Sequence, residues 1–534
     1  MKKHLLFIIL IFLFCIPLCL PILQNGYPKT DDGIWAVIRL SEMDREIRDL
    51  QIPPRWSGFL NHGYGYPLFL FAYPFPYYLG EVLHLAGFSL VTSMKVLFIL
   101  SIFGAGVAMY TLAQTWWGSW GGLIASVSYL YLPYRLLNLY TRGSIGELIA
   151  SVLFPLLFLS SVTLVRKRQI KFIFVVSILL AILILTHNAS ALLFLPFLLL
   201  WWLFLYFESK NKKAVVKGFC LSLLLGFSLS AFFWLPALIE KQYLALSLVA
   251  ISDKTRHVLS LLHFLPNISS YTYNNPYAIG IIPLLLFGSG LYVGIINNRG
   301  KNQKNLLAFI LLITLLALFL FSSLSLPFWQ LPVLSEIDFP WRVMGVVSFL
   351  LSIGIGALGS LPKSKHLLLL PMVGLVLAAL PFAQVRERLF EPDSYYASND
   401  ATTTSADEFM PIWVEDKPTN RPADKVITKG TVADLTESSN RLNFTIYTND
   451  RETITINTLY FPGWVAWIDD QPAQVSIAQK TGLIELFVRV GVSKVELRFE
   501  RTMIRKIADS ISIISLFGSI GLWWYLKKQP SFFS

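Results

Sequence analysis

Long, nearly uncharged apolar runs recur along the whole of this 534-residue chain. An apolar run of about 18 or more residues is long enough to cross the hydrocarbon core of a bilayer as a helix. Charged residues make up only 14% of the chain, against roughly 25% in a soluble globular protein. Because lipid offers no hydrogen bonds to the backbone, such runs fold as helices. The sequence therefore predicts a polytopic α-helical membrane protein.

The apolar runs predict about twelve spans. The spans begin near His4, Ser93, Ser119, Ser144, Lys171, Ser190, Val215, Tyr277, Asn305, Trp341, His366 and Ile504. No small-residue cleavage site follows the first run, so we expect it to remain as a span. The run at 68–86 contains Pro74, Pro76 and Glu81. Proline and charge at membrane depth are tolerated only against protein or water, so we expect this run to be re-entrant or interfacial.

Positive charge is concentrated in short loops, such as 166–168 and 210–217, and accounts for the net charge of +12. Lys and Arg clusters of this kind mark cytoplasmic loops. The charge therefore indicates orientation in a membrane rather than binding to nucleic acid. Counting spans from these loops places both termini in the cytoplasm, and we expect the membrane to be a bacterial plasma membrane.

The same count places three longer polar segments on the outer side of the membrane, at 24–67, 241–276 and 384–503. We divide the chain into a multi-span membrane domain at 1–383, an extracytoplasmic domain at 384–503, and a last span with its tail at 504–534. In the extracytoplasmic domain, the stretches RLNFTIYTND, RETITINTLYF, LIELFVRV and KVELRFE alternate apolar and polar residues, and DDQP has the composition of a turn. This pattern predicts a β-rich, sandwich-like domain before the last span.

The first outer loop begins with TDDGIWAVIRLSEMDREIRDL, which has the apolar periodicity of an amphipathic helix. Asp31 and Asp32 lie at its start, where carboxylates suit the helix dipole. One interpretation is helix capping with a solvated face; the other is a catalytic carboxylate. The two carboxylates could also share a hard cation such as Mg²⁺ or Mn²⁺, which leaves the use of a metal open.

Further charged and polar residues stand at the outer ends of three predicted spans. Arg142 and Glu147 are in LYTRGSIGELIA, His187 and Asn188 are in ILTHNASALL, and Asp338 and Arg342 are in SEIDFPWRVMG. Each set has a structural interpretation as a satisfied pair, and His187 alone is more typical of a packed histidine. Their common level in the membrane favours a site for a lipid-linked phosphate, because arginine clamps the anion and a carboxylate serves as a base.

The stretch QIPPRWSGFLNHGYGYP ends the first outer loop. Its two prolines stop the preceding helix, and its glycines permit turns and close approach. We predict that Arg55, Trp56, Tyr64 and Tyr66 point toward the mouth occupied by Asp32 and by the arginine of TRGS. The alternative is an aromatic belt at the membrane interface.

The segments DDGIWAVIRLSE, PPRWSGFLNHGYGYPLFLFAYPFPYY, TRGSIGELIA, LTHNASALL, DFPWRVMG and TTTSADEFMP resemble a bacterial family of polytopic membrane proteins called 6-pyruvoyl-tetrahydropterin synthase-related. YFPGWVAWIDDQPAQV also resembles the outer domain of YfhO-like proteins. The family in turn resembles the C-type (GT-C) glycosyltransferases, which have many spans, an essential acidic residue in the first outer loop and polyprenyl-phosphate sugar donors. Pterin chemistry is not implied, since the histidines of this chain lack the spacing of a zinc site.

The resemblance assigns the acidic residue to Asp32. In the family as we read it, one histidine precedes this aspartate and another follows four residues later. Asp31 and Ala36 occupy those places here. The departure leaves open a divergent or non-catalytic member.

The sequence therefore supports a membrane glycosyltransferase as the first hypothesis. Asp32 or Asp31 would deprotonate an extracytoplasmic glycan, lipid or protein acceptor. The residues expected to bind the donor and acceptor are Arg39, Glu42, Arg55, Trp56, Tyr64, Tyr66, Arg142, Glu147, His187, Asn188 and Arg342. The alternatives are a non-catalytic envelope protein that binds glycan through exposed aromatics such as Trp464 and Trp467, and a transporter of lipid-linked glycan. Transport is disfavoured because no inverted repeat or mid-span charge is evident.

Overall fold

The computed structural model describes residues 2–247, 252–258, 279–297, 300–361 and 365–527. The α-helices are α1 Lys2–Leu23, α2 Gly33–Arg48, α3 Leu68–Phe71, α4 Phe75–Leu85, α5 Leu90–Tyr131, α6 Pro133–Leu136, α7 Ile145–Lys167, α8 Lys171–Thr186, α9 Asn188–Glu208, α10 Lys212–Leu229, α11 Ala231–Glu240, α12 Ile281–Asn297, α13 Lys301–Phe321, α14 Met344–Gly356, α15 Leu369–Ala379, α16 Asp393–Ser398 and α17 Met503–Lys527. The strands are β1 Tyr27–Pro28, β2 Arg388–Leu389, β3 Val426–Ile427, β4 Thr431–Ser438, β5 Arg441–Thr448, β6 Glu452–Leu459, β7 Trp464–Ile468, β8 Gln471–Ala473, β9 Ser476–Ile477, β10 Leu483–Val488 and β11 Gly491–Phe499.

Within the described ranges, eight helical segments are long and apolar enough to cross a membrane, or nine if the bent pair of α10 and α11 is one span. Two of the eight, Pro340–Ser360 and Lys365–Phe382, consist of α14 and α15 with the helical turns that flank them. The apolar helices α8 and α12 are shorter, with 16 and 17 residues. A bilayer core of about 30 Å needs about 20 helical residues at 1.5 Å each. With α5 counted as one helix, helix length alone therefore supports fewer than twelve spans, and the full count stays a prediction.

Helix α5 is two antiparallel arms rather than one rod. Gly118 has φ 69° and ψ −179°, which is not helical. The hydroxyl of Ser126 donates to the carbonyl of Gly106 at 2.7 Å, across 20 residues of sequence. Those residues would be about 30 Å apart in a straight helix. The chain therefore reverses at Gly118, and the two arms are the helices predicted to begin near Ser93 and Ser119.

The centre of the helical region is an aromatic core between α7, α9 and α14. Phe158 of α7 stacks on Trp201 of α9, with ring centroids 4.8 Å apart. Phe349 of α14 meets Phe158 edge-on at 4.9 Å. Helix α14 is buried along almost its whole length. These packed helices hold the N-terminal ends of α7, α9 and α14 at fixed positions, and the candidate site forms there.

A sandwich of two antiparallel sheets precedes the last helix, as the alternation of apolar residues predicts. The sheets have strand orders β3-β6-β10-β9 and β4-β5-β11-β7-β8. Buried and exposed residues alternate along β5. Asp469 and Asp470 have φ values of 49° and 61° between β7 and β8, which confirms the predicted turn, because two positive φ angles suit a tight hairpin. Trp464 is buried in the core at 6% exposure.

The segment that joins the helices to the sandwich is mostly irregular. Sheet structure of the sandwich begins at β3, so the stretch 384–425 holds only β2 and α16. Strand β2 pairs with β1, which follows the first helix. At the other end, the buried guanidinium of Arg505 contacts Glu240 of α11 at 2.9 Å. The sandwich is therefore tied to the helical region through both of its flanks.

The re-entrant placement of 68–86 and the outer segment 241–276 both stay predictions. The run 68–86 forms α3 and α4, which are too short to span, and its re-entrant placement stays a prediction. In the predicted outer segment 241–276, residues 248–251 and 259–276 lie outside the described residues.

Replacement of Gly118 with alanine tests the reversal of α5. A Cβ at Gly118 would meet no atom within 4 Å, so the penalty is one of backbone conformation alone. We expect Gly118→Ala to lower the free energy of unfolding by about 1–3 kcal/mol, measured by thermal unfolding in detergent.

The matched control is Gly374→Ala, in the helical backbone of α15, where an added Cβ also meets nothing within 4 Å. It should raise stability by about 0.5–1 kcal/mol, since alanine favours a helix. Equal effects of the two substitutions would contradict a reversal at Gly118.

Candidate functional site

A polar cavity of about 250 Å³ lies between α2, the N-terminal ends of α7 and α9, the turn before α14, and the segment 403–409. Five of the residues proposed from the sequence line it. These residues are Asp32, Arg39, His187, Asn188 and Arg342. The structure thus brings together side chains from three separate stretches of sequence.

Arg142 lies next to the cavity-lining residues Asp32 and Gly143, and its side chain joins two carboxylates. Its Nη2 is 3.1 Å from Oδ2 of Asp32, and its Nη1 is 2.5 Å from Oε1 of Glu147. Nη1 also donates to Oδ1 of Asn138 at 2.7 Å. The guanidinium carbon lies 4.3 Å from the centroid of the Trp341 ring. The planar guanidinium thus contacts Asp32 through Nη2 and Glu147 through Nη1, whereas a lysine would offer only one nitrogen.

The backbone around Arg142 is fitted against the start of α2. The amide of Asp32 donates to the carbonyl of Arg142 at 2.6 Å, and the amide of Asp31 donates to that of Thr141 at 3.0 Å. Gly143 has φ 65°, and a Cβ there would lie 2.1 Å from Oγ1 of Thr30. Only glycine meets both conditions. The sequence TRGS therefore places Arg142 directly against the first outer loop.

Glu147, in the first turn of α7, is surrounded by side chains that carry N–H and O–H groups. Besides Arg142, its Oε1 lies 3.4 Å from Nε of Arg342 and 4.0 Å from Nε2 of His187. Its Oε2 accepts from the hydroxyl of Tyr134 and from Nδ2 of Asn138. A buried carboxylate needs this degree of pairing, because an unpaired charge in a low dielectric is costly.

Asp32 does not act as a simple helix cap. It occupies the N-cap position of α2, yet its side chain makes no capping hydrogen bond. The carboxylate instead contacts Arg142 through Oδ2 and lines the cavity. The side chain of Asp31 is exposed at the surface. Partial desolvation by the surrounding protein and the negative charge of Asp32 raise the pKa of Asp31, and the positive charge of Arg142 opposes this shift. The two adjacent carboxylates therefore have different environments.

Arg39 and Arg342 are the two arginines that line the cavity. Arg39 donates from Nε to Oγ1 of Thr403 at 3.0 Å and from Nη2 to the carbonyl of the same residue. Arg342 is 20% exposed, and its Nε has no hydrogen-bond partner among the described residues. Because Arg342 lines the cavity and its side chain is partly exposed, its guanidinium could contact an anionic ligand.

His187 and Asn188 occupy the tight connection between α8 and α9. Nδ1 of His187 accepts from the amide of Ser190 at 3.1 Å, which leaves the proton of the neutral ring on Nε2. The ring lies 5.0 Å from that of Tyr73. Nδ2 of Asn188 donates to the carbonyl of Phe71 at 3.1 Å. Both side chains make structural bonds and also line the cavity.

The stretch PPRWSGFLNHGYGYP does not converge on the cavity as predicted. Arg55 forms a buried pair with Asp509 at 2.5 Å. Trp56 is fully buried and packs edge-on against Trp464 in the sandwich core, which also differs from a membrane-interface belt. The carbonyl of Tyr64 accepts from the amide of Leu459 in β6. This stretch lies between the helices and the sandwich, so burial of its aromatics joins the two.

Two further residues proposed from the sequence lie beside the cavity rather than in its wall. The hydroxyl of Tyr66 is 2.8 Å from Oγ1 of Thr403 and so supports a wall segment. Glu42 is buried in α2 with Arg45 at 3.3 Å. Burial raises the pKa of Glu42 to about 7, against the opposing charge of Arg45.

Several cavity residues were missing from the sequence-based prediction. Among them are Trp35, Tyr73, Tyr77, Thr404 and Glu408. Thr404 and Glu408 stand in TTTSADEFMP, which carried the family resemblance. Their motif was therefore visible, but nothing in the sequence placed TTTSADE beside the spans.

The described residues do not offer a protein-only metal site. No group of three or more His, Cys, Asp or Glu side chains in that part of the chain could hold a metal ion. The counter-ion of Asp32 is Arg142, and Asp31 does not line the cavity. The donor set at Asp31 and Asp32 therefore does not fit the hard cation that the sequence left open.

Residues 70–385 match the model of a family described as 6-pyruvoyl-tetrahydropterin synthase related domain, membrane protein. An uncharacterized protein of Lactococcus lactis subsp. cremoris (strain MG1363) is 28% identical over 247 residues, which are 44% of this chain and 40% of that protein. The match thus spans less than half the length of this relative.

Two solved structures are similar to the chain. The arabinofuranosyltransferase AftD from Mycobacteria has 16% identity and a TM-score of 0.45, over 69% of this chain and 26% of that chain. ArnT from Cupriavidus metallidurans, bound to undecaprenyl phosphate, has 13% identity and a TM-score of 0.40, over 70% and 62%. Because both TM-scores lie below 0.5, neither similarity decides the fold or the activity.

A double-mutant cycle tests whether Arg142 and Glu147 form one buried unit. We expect Arg142→Gln or Glu147→Gln alone to lower the free energy of unfolding by about 3–5 kcal/mol, because each leaves a buried charge unpaired. The double variant should lose less than the sum of the two, with a coupling energy of about 1–3 kcal/mol, measured by unfolding in mixed micelles.

The matched cycle uses Asp44→Asn and Arg48→Gln, a pair in α2 at 2.7 Å whose arginine is 64% exposed. Its coupling energy should be about 0.5 kcal/mol or less. Coupling energies of the same size in both cycles would contradict the buried unit.

Glu42→Gln tests the burial of this carboxyl group. Its folded pKa of about 7 lies above the unfolded value, so its contribution to stability is present below pH ~4.5 and lost as the pH rises through about 7. We expect Glu42→Gln to be more stable than the wild type at pH 8 by on the order of 1–3 kcal/mol and nearly equal to it at pH 5. The exposed control Glu415→Gln should shift stability by less than about 0.5 kcal/mol at both pH values. A difference for Glu42→Gln that does not depend on pH would refute this assignment.

Proposed function

The chain belongs to the family of membrane proteins with a 6-pyruvoyl-tetrahydropterin synthase related domain, and from this premise we propose that it is a membrane glycosyltransferase. It takes a sugar from a polyprenyl-phosphate donor and passes it to a hydroxyl of an acceptor outside the cytoplasm. The acceptor is a glycan, a lipid or a protein of the cell envelope. The protein itself is integral to a membrane; the orientation with both termini inside is part of the proposal.

The observation that carries this proposal is the position of Asp32. Its carboxylate is held by Arg142 at 3.1 Å and lines a cavity that also contains Arg39 and Arg342. A carboxylate beside arginines in one cavity suits a transfer in which a hydroxyl loses a proton and a phosphate leaves as an anion. The roles then divide between the two kinds of side chain.

In the proposed reaction, Asp32 accepts the proton of the acceptor hydroxyl. Oδ2 of Asp32 is used by Arg142, and no described residue hydrogen-bonds Oδ1. The hydroxyl oxygen forms a bond to the anomeric carbon as the bond from that carbon to the phosphate oxygen breaks. The bond electrons leave with the polyprenyl phosphate, whose added negative charge is stabilised by Arg342, with Arg39 nearby.

Glu147 and Arg142 are positioning residues in this scheme. Glu147 contacts both Arg142 and Arg342, so it sets the spacing between the arginine that holds the base and the arginine proposed to hold the phosphate. Nε2 of His187 lies 4.0 Å from Oε1 of Glu147, the same oxygen that contacts both arginines. Preorganised charges of this kind cost no rearrangement when the reaction occurs.

Glycan binding without transfer is the second candidate. Ala36 lines the cavity, at the position where the resemblance leads us to expect a histidine. The cavity therefore has one polar group fewer than the family pattern. The binding candidate differs from the enzyme in one measurable respect, which is that the wild-type protein would transfer no sugar.

Asp32→Asn tests the role of the base. We expect it to lower the rate of sugar transfer about 10²–10⁴-fold, because the amide cannot accept the proton. Binding of the lipid donor should persist, since the arginines remain. The measurement is transfer of radiolabelled sugar from polyprenyl-phosphate donors in proteoliposomes.

The matched control is Asp31→Asn, the same change at the adjacent exposed residue, which should leave the rate within about threefold of the wild type. Unchanged transfer by folded Asp32→Asn would remove Asp32 as the base. Binding of the donors by the wild type with no transfer to any acceptor would favour the binding candidate.

A further inference from the structure

One wall of the cavity comes from outside the part of the chain that matches the family. Thr403, Thr404, Ser405, Glu408 and Phe409 line it, whereas the family match ends at residue 385. This wall segment, residues 402–409, leads into the sandwich rather than out of a span. A ligand in the cavity would therefore touch both the helices of the matched region and this separate wall segment.

The wall segment is held firmly from both sides. Arg39 of α2 donates to Thr403, and the hydroxyl of Tyr66 also contacts Thr403. Within the segment, Oγ1 of Thr402 donates to Oδ1 of Asp407 at 2.7 Å, and Lys417 contacts the same carboxylate at 3.0 Å. These contacts make the wall part of a rigid site, as positioning of a ligand requires.

Thr404 has a hydroxyl without a partner. The residue is 8% exposed, it lines the cavity, and its Oγ1 is buried with no hydrogen bond to any described residue. A buried hydroxyl without a partner is destabilising, because it has lost its hydrogen bonds to water. The neighbouring Thr402 and Thr403 both have partners. The exception stands at the cavity, where a ligand hydroxyl could supply the missing bond.

The cavity lining carries groups of both charges. Arg342 and Arg39 line it together with Asp32, while Glu336, Asp338 and Glu408 add further carboxylates. Oε2 of Glu408 accepts from the amide of Ala406 at 3.0 Å, and no described cation pairs with this carboxylate. A carboxylate takes strong hydrogen bonds from ligand hydroxyls. A ligand with a phosphate at one end and several hydroxyls at the other suits this arrangement.

We propose that Thr404 and Glu408 form the hydroxyl-binding half of the cavity and determine which glycosyl group is accepted. This inference rests on the proposed function, since it places the sugar of the donor against the wall segment and its phosphate against Arg342. Thr404 and Glu408 are specificity residues and take no part in the proton transfer.

The test measures how tightly purified full-length protein in detergent binds two kinds of probe, one with the lipid phosphate alone and one that also carries a sugar. The probes are undecaprenyl phosphate and undecaprenyl phosphate that carries glucose, mannose, galactose or arabinose. We expect the wild type to bind at least one glycosylated probe 10-fold or more tightly than the bare lipid phosphate. Thr404→Val and Glu408→Gln should each weaken that probe about 10-fold and change the bare lipid phosphate less than twofold. Arg342→Gln should weaken both probes.

The melting temperature of Thr404→Val distinguishes a ligand-binding role of this hydroxyl from a merely structural one. Because the hydroxyl has no partner in the free protein, valine should leave the melting temperature equal or higher. Thr402→Val is the matched control, since it removes a hydroxyl of the same segment that does not line the cavity. It should lower the melting temperature and leave the preference for the glycosylated probe intact. Glu415→Gln serves in the same way for Glu408→Gln.

The outcomes are distinct. Equal loss of affinity for both probes in Thr404→Val and Glu408→Gln, or no loss for either, would overturn the specificity role while leaving the proposed function in place. A wild type that binds the bare lipid phosphate but prefers no glycosylated probe would overturn it also. A wild type that binds no lipid phosphate would overturn the proposed function, and this inference with it.

Discussion

The contact between Arg142 and Glu147 is the interaction on which the candidate site depends. It joins the turn before α7 to the first turn of that helix at 2.5 Å, and the same guanidinium reaches Asp32 at the start of α2. Glu147 in turn lies 3.4 Å from Nε of Arg342. In a low dielectric, none of these charges is stable without the others. One ion-pair network thus fixes the first outer loop, α7 and the turn before α14 against one another.

The sandwich is part of the site rather than a separate module. Its leading segment supplies a cavity wall, held by Arg39 and Tyr66 through Thr403. Its far flank is held by Arg505 on Glu240. Residues such as Trp56, which belong to the first outer loop, complete the sandwich core. The first loop and the sandwich therefore bury each other's aromatic side chains.

The sequence identified much of the site by its charges. Asp32, Arg39, His187, Asn188 and Arg342 were all placed near one site because charge at the end of an apolar run is costly unless it is paired or functional. The same reasoning misplaced Arg55, since a buried pair with Asp509 satisfies the same rule. Periodicity could not separate a capping aspartate from a cavity aspartate, because both stand at the start of a helix. Only the contact with Arg142 distinguishes them.

What the sequence determined by itself was local: helices where apolar runs are long, strands where apolar residues alternate, a turn at Asp469 and Asp470, and a membrane setting. Each of these follows from backbone hydrogen bonding and burial over a few neighbouring residues. What only the tertiary structure decided was which distant groups meet. The contacts of Arg39 with Thr403 and of Arg55 with Asp509 span hundreds of residues. Such contacts depend on the packing of whole helices and sheets, which no local pattern encodes.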